Sequence, residues 1–395
     1  MSQQIDVLQD EATPPPSRRG RPVRVLSIII LILAGLHAYI GWRLLPDLAL
    51  GNTGLIVGIG LLVLSALLIP LATLSRFLTW RQAVTDRLAW VGFLTMGLFS
   101  SMLVLTLARD FVLAFMGPAH LASVTATGVP MLALLVTLVG FINARRLPSV
   151  VDVDVPLSGL PPALEGFTIV QISDLHVGPT IKAAKVEAIV RRVNALDADL
   201  IALTGDLVDG SVEELSADIA PLGKLSARHG SYVVTGNHEY YSGAPQWVAE
   251  YQRLGMQALM NEHWLVQHDG ASLVIAGVTD YTAYQFDAAQ RSDPQRALAG
   301  SPAGIPRILL AHQPRSAQAA ADAGFDLQLS GHTHGGQFWP WNLFVRLQQP
   351  YTAGLHRLNQ LWIYTSRGTG YWGPPKRFGA PAEITRLRLI AATSE

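Results

Sequence analysis

The chain has 395 residues, which is long enough for two or three domains. Half of the residues are hydrophobic and 15% are charged, and the formal net charge is zero, so no net positive field would draw nucleic acid to it. The absence of cysteine excludes disulfides, thiolate metal ligands and a cysteine nucleophile. A bound metal must therefore be held by oxygen atoms and imidazoles.

The N-terminal third alternates between basic and apolar segments. Residues 1–24 are polar, with three prolines and then Arg18, Arg19, Arg21 and Arg24, a composition that predicts a flexible basic tail. Four uncharged stretches follow, at residues 25–42, 48–75, 88–108 and 111–144. A helix needs about 20 apolar residues to cross a bilayer. We therefore predict a transmembrane region of about four helices over residues 25–146.

The arginines predict the orientation of these helices. Four arginines precede the first stretch, one lies between the first and the second, and three lie between the second and the third. Arg109 alone lies between the third and the fourth, and Arg145 and Arg146 follow the fourth. By the positive-inside rule, both chain ends face the cytoplasm, and Arg109 and Asp110 lie in an outer loop. This predicts a multi-pass protein of the inner (cytoplasmic) membrane with a cytoplasmic C-terminal half. A span count that is off by one would place that half outside.

The membrane region shows little chemistry of its own. His37 lies inside the first predicted span, and a lone histidine there indicates a helix-packing hydrogen bond rather than a proton relay. Anchoring is the role that this pattern favours.

After the membrane region, residues 147–165 contain four prolines and are predicted to be a linker to a domain over residues 166–395. In that domain, short β-rich runs alternate with amphipathic helical stretches, which predicts an α/β fold. The predicted strands are residues 167–172, 200–203, 232–234, 273–276, 308–310 and 327–329. The predicted helices are residues 182–196, 212–227, 245–254 and 315–323.

Five of the predicted strands end in residues that can bind metal ions. The carboxyl ends of strands are where α/β sheets gather their active sites. The residues concerned are Asp174, His176, Asp206, Asn237, His312, His332 and His334. Each short motif alone is more often a turn, but few structural roles require ligand-type residues at five strand ends. Together they predict a metal site.

The series Asp174-x-His176, Gly205-Asp206-x-x-Asp209, Gly236-Asn237-His238-Glu239, His312 and Gly331-His332-x-His334 resembles the calcineurin-like metallophosphoesterases. The resemblance covers roughly residues 165–390 and implies a two-sheet αββα sandwich. It also implies two divalent metal ions. The ligands suit Mn, Fe, Zn or Co. In the family's pattern, Asp174, His176, Asp206 and His334 hold one ion, and Asp206, Asn237, His312 and His332 hold the other. In that pattern Asp206 bridges the two ions. The family's histidine at the position of His238 stabilises the transition state or protonates the leaving group.

The resemblance thus implies a membrane-anchored phosphoesterase in which a metal-bridging hydroxide attacks a phosphodiester or pyrophosphate, with lipid-linked and nucleotide-linked substrates as candidates. The motifs are most similar to a membrane-associated bacterial branch, in which some relatives cleave UDP-diacylglucosamine. A broad phosphodiesterase or phosphatase for soluble or wall-derived substrates is the alternative, and a non-catalytic scaffold is a third hypothesis. The expected partners are a phosphate ester and the membrane, with no nucleic acid and no obligate protein partner.

Substrate contacts are less specified by the sequence. Arg367 could hold a second phosphate, and Tyr240 and Trp372 could line a pocket, although ordinary packing explains each equally well. Glu239 and Asp280 could orient histidines, and Asp209 could cap the following helix or orient a ligand. The apolar residues 338–341 could touch a membrane surface.

Overall fold

The structure is a computed structural model that describes residues 21–75, 80–117 and 121–392. Most of the predicted basic tail lies outside the described residues, and its last four residues form the first turn of a helix. Four long helices come first: α1 (Arg21–Leu44), α2 (Gly51–Leu74), α3 (Gln82–Met116) and α4 (Ala122–Arg145). All four are long and apolar enough to cross a membrane, as the sequence predicts.

The third helix is longer than predicted and contains the residues that were expected in an outer loop. Arg109 and Asp110 lie inside α3, and residues 111–116 end this helix rather than beginning the fourth. Arg109 is buried, donates to the backbone carbonyl of Arg43 at 2.9 Å and pairs with Asp47. Asp110 pairs with Arg43 at 2.8 Å. Because both charges have partners within the bundle, the helix continues through them.

His37 packs between helices, as expected from its position. Its Nδ1 lies 2.8 Å from the carbonyl of Leu33, its Nε2 lies 2.9 Å from Ser65 Oγ, and its ring stacks on Phe99 with 4.1 Å between centroids.

The C-terminal domain contains two six-stranded sheets. The strands are β1 (Ser149–Leu157), β2 (Thr168–Ile172), β3 (Leu200–Leu203), β4 (Ser231–Val233), β5 (Gln257–Ala258), β6 (Glu262–His268), β7 (Ala271–Gly277), β8 (Arg307–Leu310), β9 (Leu327–Ser330), β10 (Gly354–Leu358), β11 (Leu361–Thr365) and β12 (Glu383–Ala391). The helices are α5 (Ala183–Asn194), α6 (Val212–Ile219), α7 (Asn237–Ser242), α8 (Ala244–Arg253), α9 (Pro294–Ala297), α10 (Ala317–Ala323) and α11 (Trp341–Phe344). The strand orders are β1-β12-β2-β3-β4-β5 and β10-β11-β9-β8-β7-β6.

The sheets stack face to face with helices on both outer sides. Alternate residues of each strand point to opposite faces, so Ile169 and Ile308 pack between the sheets while Val170 packs outward against α5. Leu309 packs outward on the second sheet with Ala320 of α10. The predicted αββα sandwich behind a helical bundle is confirmed.

The segment predicted to be a linker is part of the first sheet. Residues 149–157 form β1, which pairs in parallel with β12 from Ser149–Glu383 to Leu157–Ala391. Val155 and Leu157 are buried between the sheets, which explains the alternating valines in this stretch. β1 is an edge strand, where Pro156 is tolerated. The sheet therefore begins only four residues after α4.

Polar contacts fix the domain against the bundle. Lys182 pairs with Asp86 of α3 at 3.1 Å. At the end of α4, Arg145 donates to the carbonyl of Thr180 at 3.0 Å and to the hydroxyl of Tyr371 at 3.2 Å. The C-terminal domain and the membrane helices thus share an interface along α3 and α4.

Candidate metal centre

The metal-ligand candidates meet because parallel strands end at one edge of the sandwich. β2, β3 and β4 are parallel neighbours in the first sheet, and β8 and β9 are parallel neighbours in the second. Backbone hydrogen bonds join the loops that follow them, from Asp174 N to the carbonyl of Gly205 and from Gly331 N to the carbonyl of His312. The five loops form one surface at this edge.

Five of the ligand candidates have left-handed backbone conformations. Their φ angles lie between 50° and 70°. This group is Asp174, His176, Asp206, His332 and His334. Non-glycine residues avoid this region because of steric strain, and such strain concentrates at functional sites. A glycine allows the loops to close, since a Cβ on Gly331 would lie 1.9 Å from Ser173 Oγ.

One group of candidates comprises Asp174, His176 and His334. Their ligand atoms lie within 4.8 Å of one another. His334 Nε2 lies 3.4 Å from Asp174 Oδ1 and 3.0 Å from His176 Nε2. Asp174 also accepts a hydrogen bond from the backbone N–H of His332 at 2.9 Å, which joins this group to the next loop.

A second group comprises Asp206, His312 and His332. His312 Nε2 lies 3.1 Å from Asp206 Oδ2 and 3.2 Å from His332 Nδ1. Asp206 Oδ2 also lies 4.0 Å from His176 Nε2 in the first group. Asp206 therefore stands between the two groups, as the bridging residue of a dinuclear site would.

Asn237 supplies the observation that tests whether these residues suit metal ions. Its side chain is buried, and its Oδ1 has no hydrogen-bond partner within the part of the chain that the structure describes. A buried carbonyl oxygen without a partner is costly, whereas it is a suitable ligand for a divalent cation. With carboxylates and imidazoles beside it, the donor set fits Mn, Fe, Zn or Co.

Further residues orient the candidate ligands. Asp209 accepts from His176 Nδ1 at 3.1 Å and from His238 Nδ1 at 2.5 Å, and the backbone carbonyl of Thr204 accepts from His312 Nδ1 at 2.8 Å. These bonds leave Nε2 of His176 and His312 free to face the site. Asp209 thus contacts histidines, and Ser211 rather than Asp209 caps α6.

The two other acidic residues do not orient histidines. Glu239 accepts from the backbone N–H groups of Asp206 and Leu207 at 3.0 and 2.7 Å, so it supports the loop of the bridging residue. Asp280 accepts from Gln313, the residue after His312, at 3.1 Å.

Burial and neighbouring charges shift the ionisation of the site. Burial alone would raise the pKa of Asp206, but His312 and His238 hold it well below its usual range. Burial and the nearby His312 lower the pKa of His332 to about 3. Burial would also lower the pKa of His238, yet Asp206 and Asp209 outweigh it and raise that pKa to about 9. In the metal-free protein, His238 is thus a cation at neutral pH while His332 is neutral.

A cavity of about 670 Å³ lies over this centre. Its polar side is formed by six of the residues above: His176, Asp206, Asn237, His238, His332 and His334. Its other sides are mainly apolar and include residues of α1, α3 and the segment 338–345, with Gln337, Gln348 and Gln349 also in the lining. Sequence reasoning missed the membrane-helix wall, because the apolar runs of α1 and α3 carry no mark that distinguishes lining positions from lipid-facing ones.

Of the three predicted substrate contacts, the structure brings one to the cavity. Trp372 lines it and packs edge to face against His238 at 5.8 Å between centroids. Arg367 and Tyr240 are not among the described residues that line the cavity. Arg367 pairs with Glu383 at 2.7 Å, and Tyr240 is buried with its hydroxyl donating to Gln290 at 2.6 Å. Both side chains are held by structural partners outside the cavity lining, so the structure does not support their predicted substrate roles.

The adjacent residues Lys376 and Arg377 connect the site to the membrane helices. Lys376 Nζ reaches between α3 and α4 and donates to the carbonyl of Gly97 at 2.9 Å and to Thr137 Oγ1 at 3.3 Å. Arg377 is fully buried and donates to the carbonyl and Nδ1 of His334, both at 3.0 Å. Because a guanidinium only donates, Nδ1 of His334 is the acceptor in this contact.

Comparison with known proteins agrees with this geometry. A model of the calcineurin-like phosphoesterase family matches residues 167–336. An uncharacterized metallophosphoesterase of Campylobacter jejuni is 32% identical over 296 residues, which is 72% of this chain and 77% of that protein. The chain belongs to the calcineurin-like metallophosphoesterases.

Two further relatives match different shares of this chain. A metallophosphoesterase of Aquifex aeolicus is 33% identical over 232 residues, covering 58% of this chain and 87% of the relative. A bovine protein named "Transmembrane protein with metallophosphoesterase domain" is 42% identical over 284 residues, covering 67% of this chain. The chain spans 63% of the length of that bovine protein. With the four apolar helices, this similarity supports a membrane protein.

Proposed function

We propose that this metallophosphoesterase hydrolyses a phosphodiester or pyrophosphate bound across two divalent metal ions. Asp174, His176, Asp206 and His334 would hold the first ion, and Asp206, Asn237, His312 and His332 the second. The proposal rests on the two ligand groups below a single cavity, with Asp206 of the second group 4.0 Å from His176 of the first. Two bound ions of this kind activate water at neutral pH and neutralise charge on the phosphate in the transition state.

The protein's own residues would supply orientation and a proton. Asp209 holds His238 through Nδ1, and His238 Nε2 lies 3.9 Å from Asp206 Oδ2 at the floor of the cavity. His238 is 14% exposed, which leaves room for contact with a leaving group. As a cation with one N–H held by Asp209, it would donate the other proton to the departing oxygen.

The setting of the site favours a lipid-linked substrate over a soluble or nucleotide-linked one. Membrane helices form part of the cavity wall, and a soluble phosphate ester would gain nothing from this apolar surface. Catalysis on the cytoplasmic side is proposed from the arginine distribution. A scaffold without activity does not need the unpartnered Asn237 Oδ1 or the strained ligand loops.

The test is hydrolysis of a panel of phosphomonoesters, diesters and lipid pyrophosphates by the full-length protein in detergent with Mn²⁺. Asn237→Ala and His334→Ala should each lose at least about 100-fold in kcat/KM, because each removes a direct metal ligand. His356→Ala is the control, since His356 contacts the carbonyl of Ala353 at 2.9 Å and the ring of Tyr351, outside the site. Ligand variants as active as the parent would contradict the proposal.

A further inference from the structure

The cavity over the metal centre has two chemically different halves. Around the metal-ligand candidates it is polar, whereas the opposite wall consists of Leu36 from α1 and Met96, Phe99 and Leu103 from α3. Trp341 and Phe344 form a third, apolar side. A phosphate bound at the polar half would thus have hydrocarbon within reach on two sides.

The apolar wall lies inside the membrane-spanning part of the bundle. Phe99 stacks on His37, which is near the middle of the span Leu26–Leu44. Lys376 contacts Thr137, which lies eight residues before the end of α4 at Arg145, or about 12 Å along the helix. The hydrocarbon core of a bilayer is about 30 Å thick. The wall is therefore at a depth where acyl chains, not water, surround the bundle.

The segment beside the cavity is suited to the same depth. Residues 339–347 expose Trp339, Trp341, Leu343, Phe344 and Leu347, the last to 83%. Trp341 Nε1 donates to Ser100 Oγ of α3 at 2.9 Å, so the segment lies directly against a membrane helix. Exposed tryptophan and leucine next to transmembrane helices are typical of residues that enter the bilayer interface.

We propose that the cavity contains a binding subsite for a lipid chain, formed by Leu36, Met96, Phe99 and Leu103 on one side and Phe344 on the other. This inference rests on the proposed function and specifies its substrate: a phosphodiester or pyrophosphate that carries a long hydrocarbon chain. The chain lies along α3 while the phosphate reaches the metal centre. The substrate reaches the site laterally from the bilayer, past the exposed side chain of Phe344. Water adds to phosphorus, the bond to the leaving oxygen breaks, and that oxygen takes a proton.

The experiment compares two diesters that differ only in chain length, hexadecyl 4-nitrophenyl phosphate and methyl 4-nitrophenyl phosphate. Full-length protein in detergent micelles with Mn²⁺ is assayed on both. Leu103→Trp should fill the subsite, and Phe344→Ser should remove its opposite side. Each should raise KM for the hexadecyl ester by about tenfold, the effect of losing the burial of roughly two methylenes, and should change KM for the methyl ester much less.

Matched controls separate the subsite from general effects on the membrane helices. Leu107→Trp is the control for Leu103→Trp, because Leu107 lies one turn further along α3 and its side chain is exposed. Leu347→Ser is the control for Phe344→Ser, because Leu347 lies in the same exposed segment as Phe344. Neither residue lines the cavity, so neither change should alter the ratio of kcat/KM between the two esters. Since partition into micelles is the same for all variants, a change confined to Leu103 and Phe344 reports the subsite.

The outcomes are distinguishable. If the metal-loaded parent cleaves neither ester, the proposed function itself is contradicted. If it cleaves both, and the subsite variants change the ratio no more than their controls do, the chain subsite is overturned while the proposed function stands. Retained turnover of the methyl ester shows that a variant is folded.

Discussion

At the scale of single residues, the metal centre combines strain with an unsatisfied polar atom. Left-handed backbone at five ligand candidates and the unpartnered Oδ1 of Asn237 both cost free energy in the metal-free protein. A bound cation would offset part of this cost by binding to the atoms that the strained loops present. Metal loading is accordingly expected to stabilise the domain.

His238 gives a prediction about pH. As the proposed proton donor, His238 would act in its protonated form, so activity should be present below its pKa and lost as pH rises through it. The metal-free pKa is raised to about 9 by Asp206 and Asp209, and bound cations would lower it, which places the loss below pH 9. In His238→Gln this basic limb should disappear, with kcat for an alkyl leaving group reduced by about 10²-fold or more.

The pH–kcat profile of parent and variant checks this role of His238. A 4-nitrophenyl ester serves as the control, because its leaving group departs without a proton and should be much less sensitive to the substitution. A basic limb that persists unchanged in His238→Gln would assign the proton transfer to another group.

The metal-site residues could be predicted, whereas most substrate contacts could not. Asp174, Asp206, Asn237 and the histidines follow strands directly, and glycines beside them indicate tight loops. Arg367 carries no such signal, and its partner Glu383 is brought near only by the tertiary fold. Trp372 faces the cavity for the same non-local reason.

At the scale of elements, the short buried strands were predictable because they are apolar on both faces. β3 is found at the predicted residues 200–203, and β8 and β9 differ by one residue at one end. β1 was missed because prolines surround it and its pairing partner, β12, lies more than 200 residues away. The extension of α3 was missed because charges usually end a span, and here distant partners neutralise them.

The connection between α4 and the metal centre gives a prediction at this scale. A Cβ on Gly140 would lie 2.6 Å from Lys376 Cγ, so Gly140→Leu should displace Lys376 and, with it, Arg377 and the His334 that Arg377 holds. Loss of such indirect support typically costs about 10–100-fold in metal affinity. We expect the ion held by Asp174, His176 and His334 to bind more weakly by this factor.

Equilibrium dialysis with Mn²⁺ measures that affinity without relying on activity. Gly128→Leu is the matched control in the same helix, because the space around Gly128 is open. Equal Mn²⁺ binding by both variants would show that α4 does not position the metal ligand.

At the scale of the whole molecule, the bundle does more than anchor the domain. α1 and α3 form one wall of the cavity, and α3 and α4 hold the peptide that contacts His334. The sequence predicted the bundle and the domain as separate units, since their apolar runs and motifs are locally distinct. The contacts between them depend on tertiary packing and could not be anticipated.

The arginine distribution predicts a cytoplasmic active site. A fluorescent-protein fusion at the C-terminus should be bright and an alkaline-phosphatase fusion at the same point inactive, because fluorescent protein folds on the cytoplasmic side and the phosphatase only outside. The reverse pattern would place the catalytic domain outside the membrane, which contradicts the orientation but not the chemistry.

The central claim is that two metal ions share Asp206, and an EPR titration of the full-length protein with Mn²⁺ tests it most directly. Ions about 3.5–4 Å apart are magnetically coupled. As Mn²⁺ approaches two equivalents, we predict that the six-line signal of isolated ions gives way to the multiline spectrum of a coupled pair, and that Asp206→Ala loses the coupling. A spectrum that shows only isolated ions at full occupancy would contradict the dinuclear site.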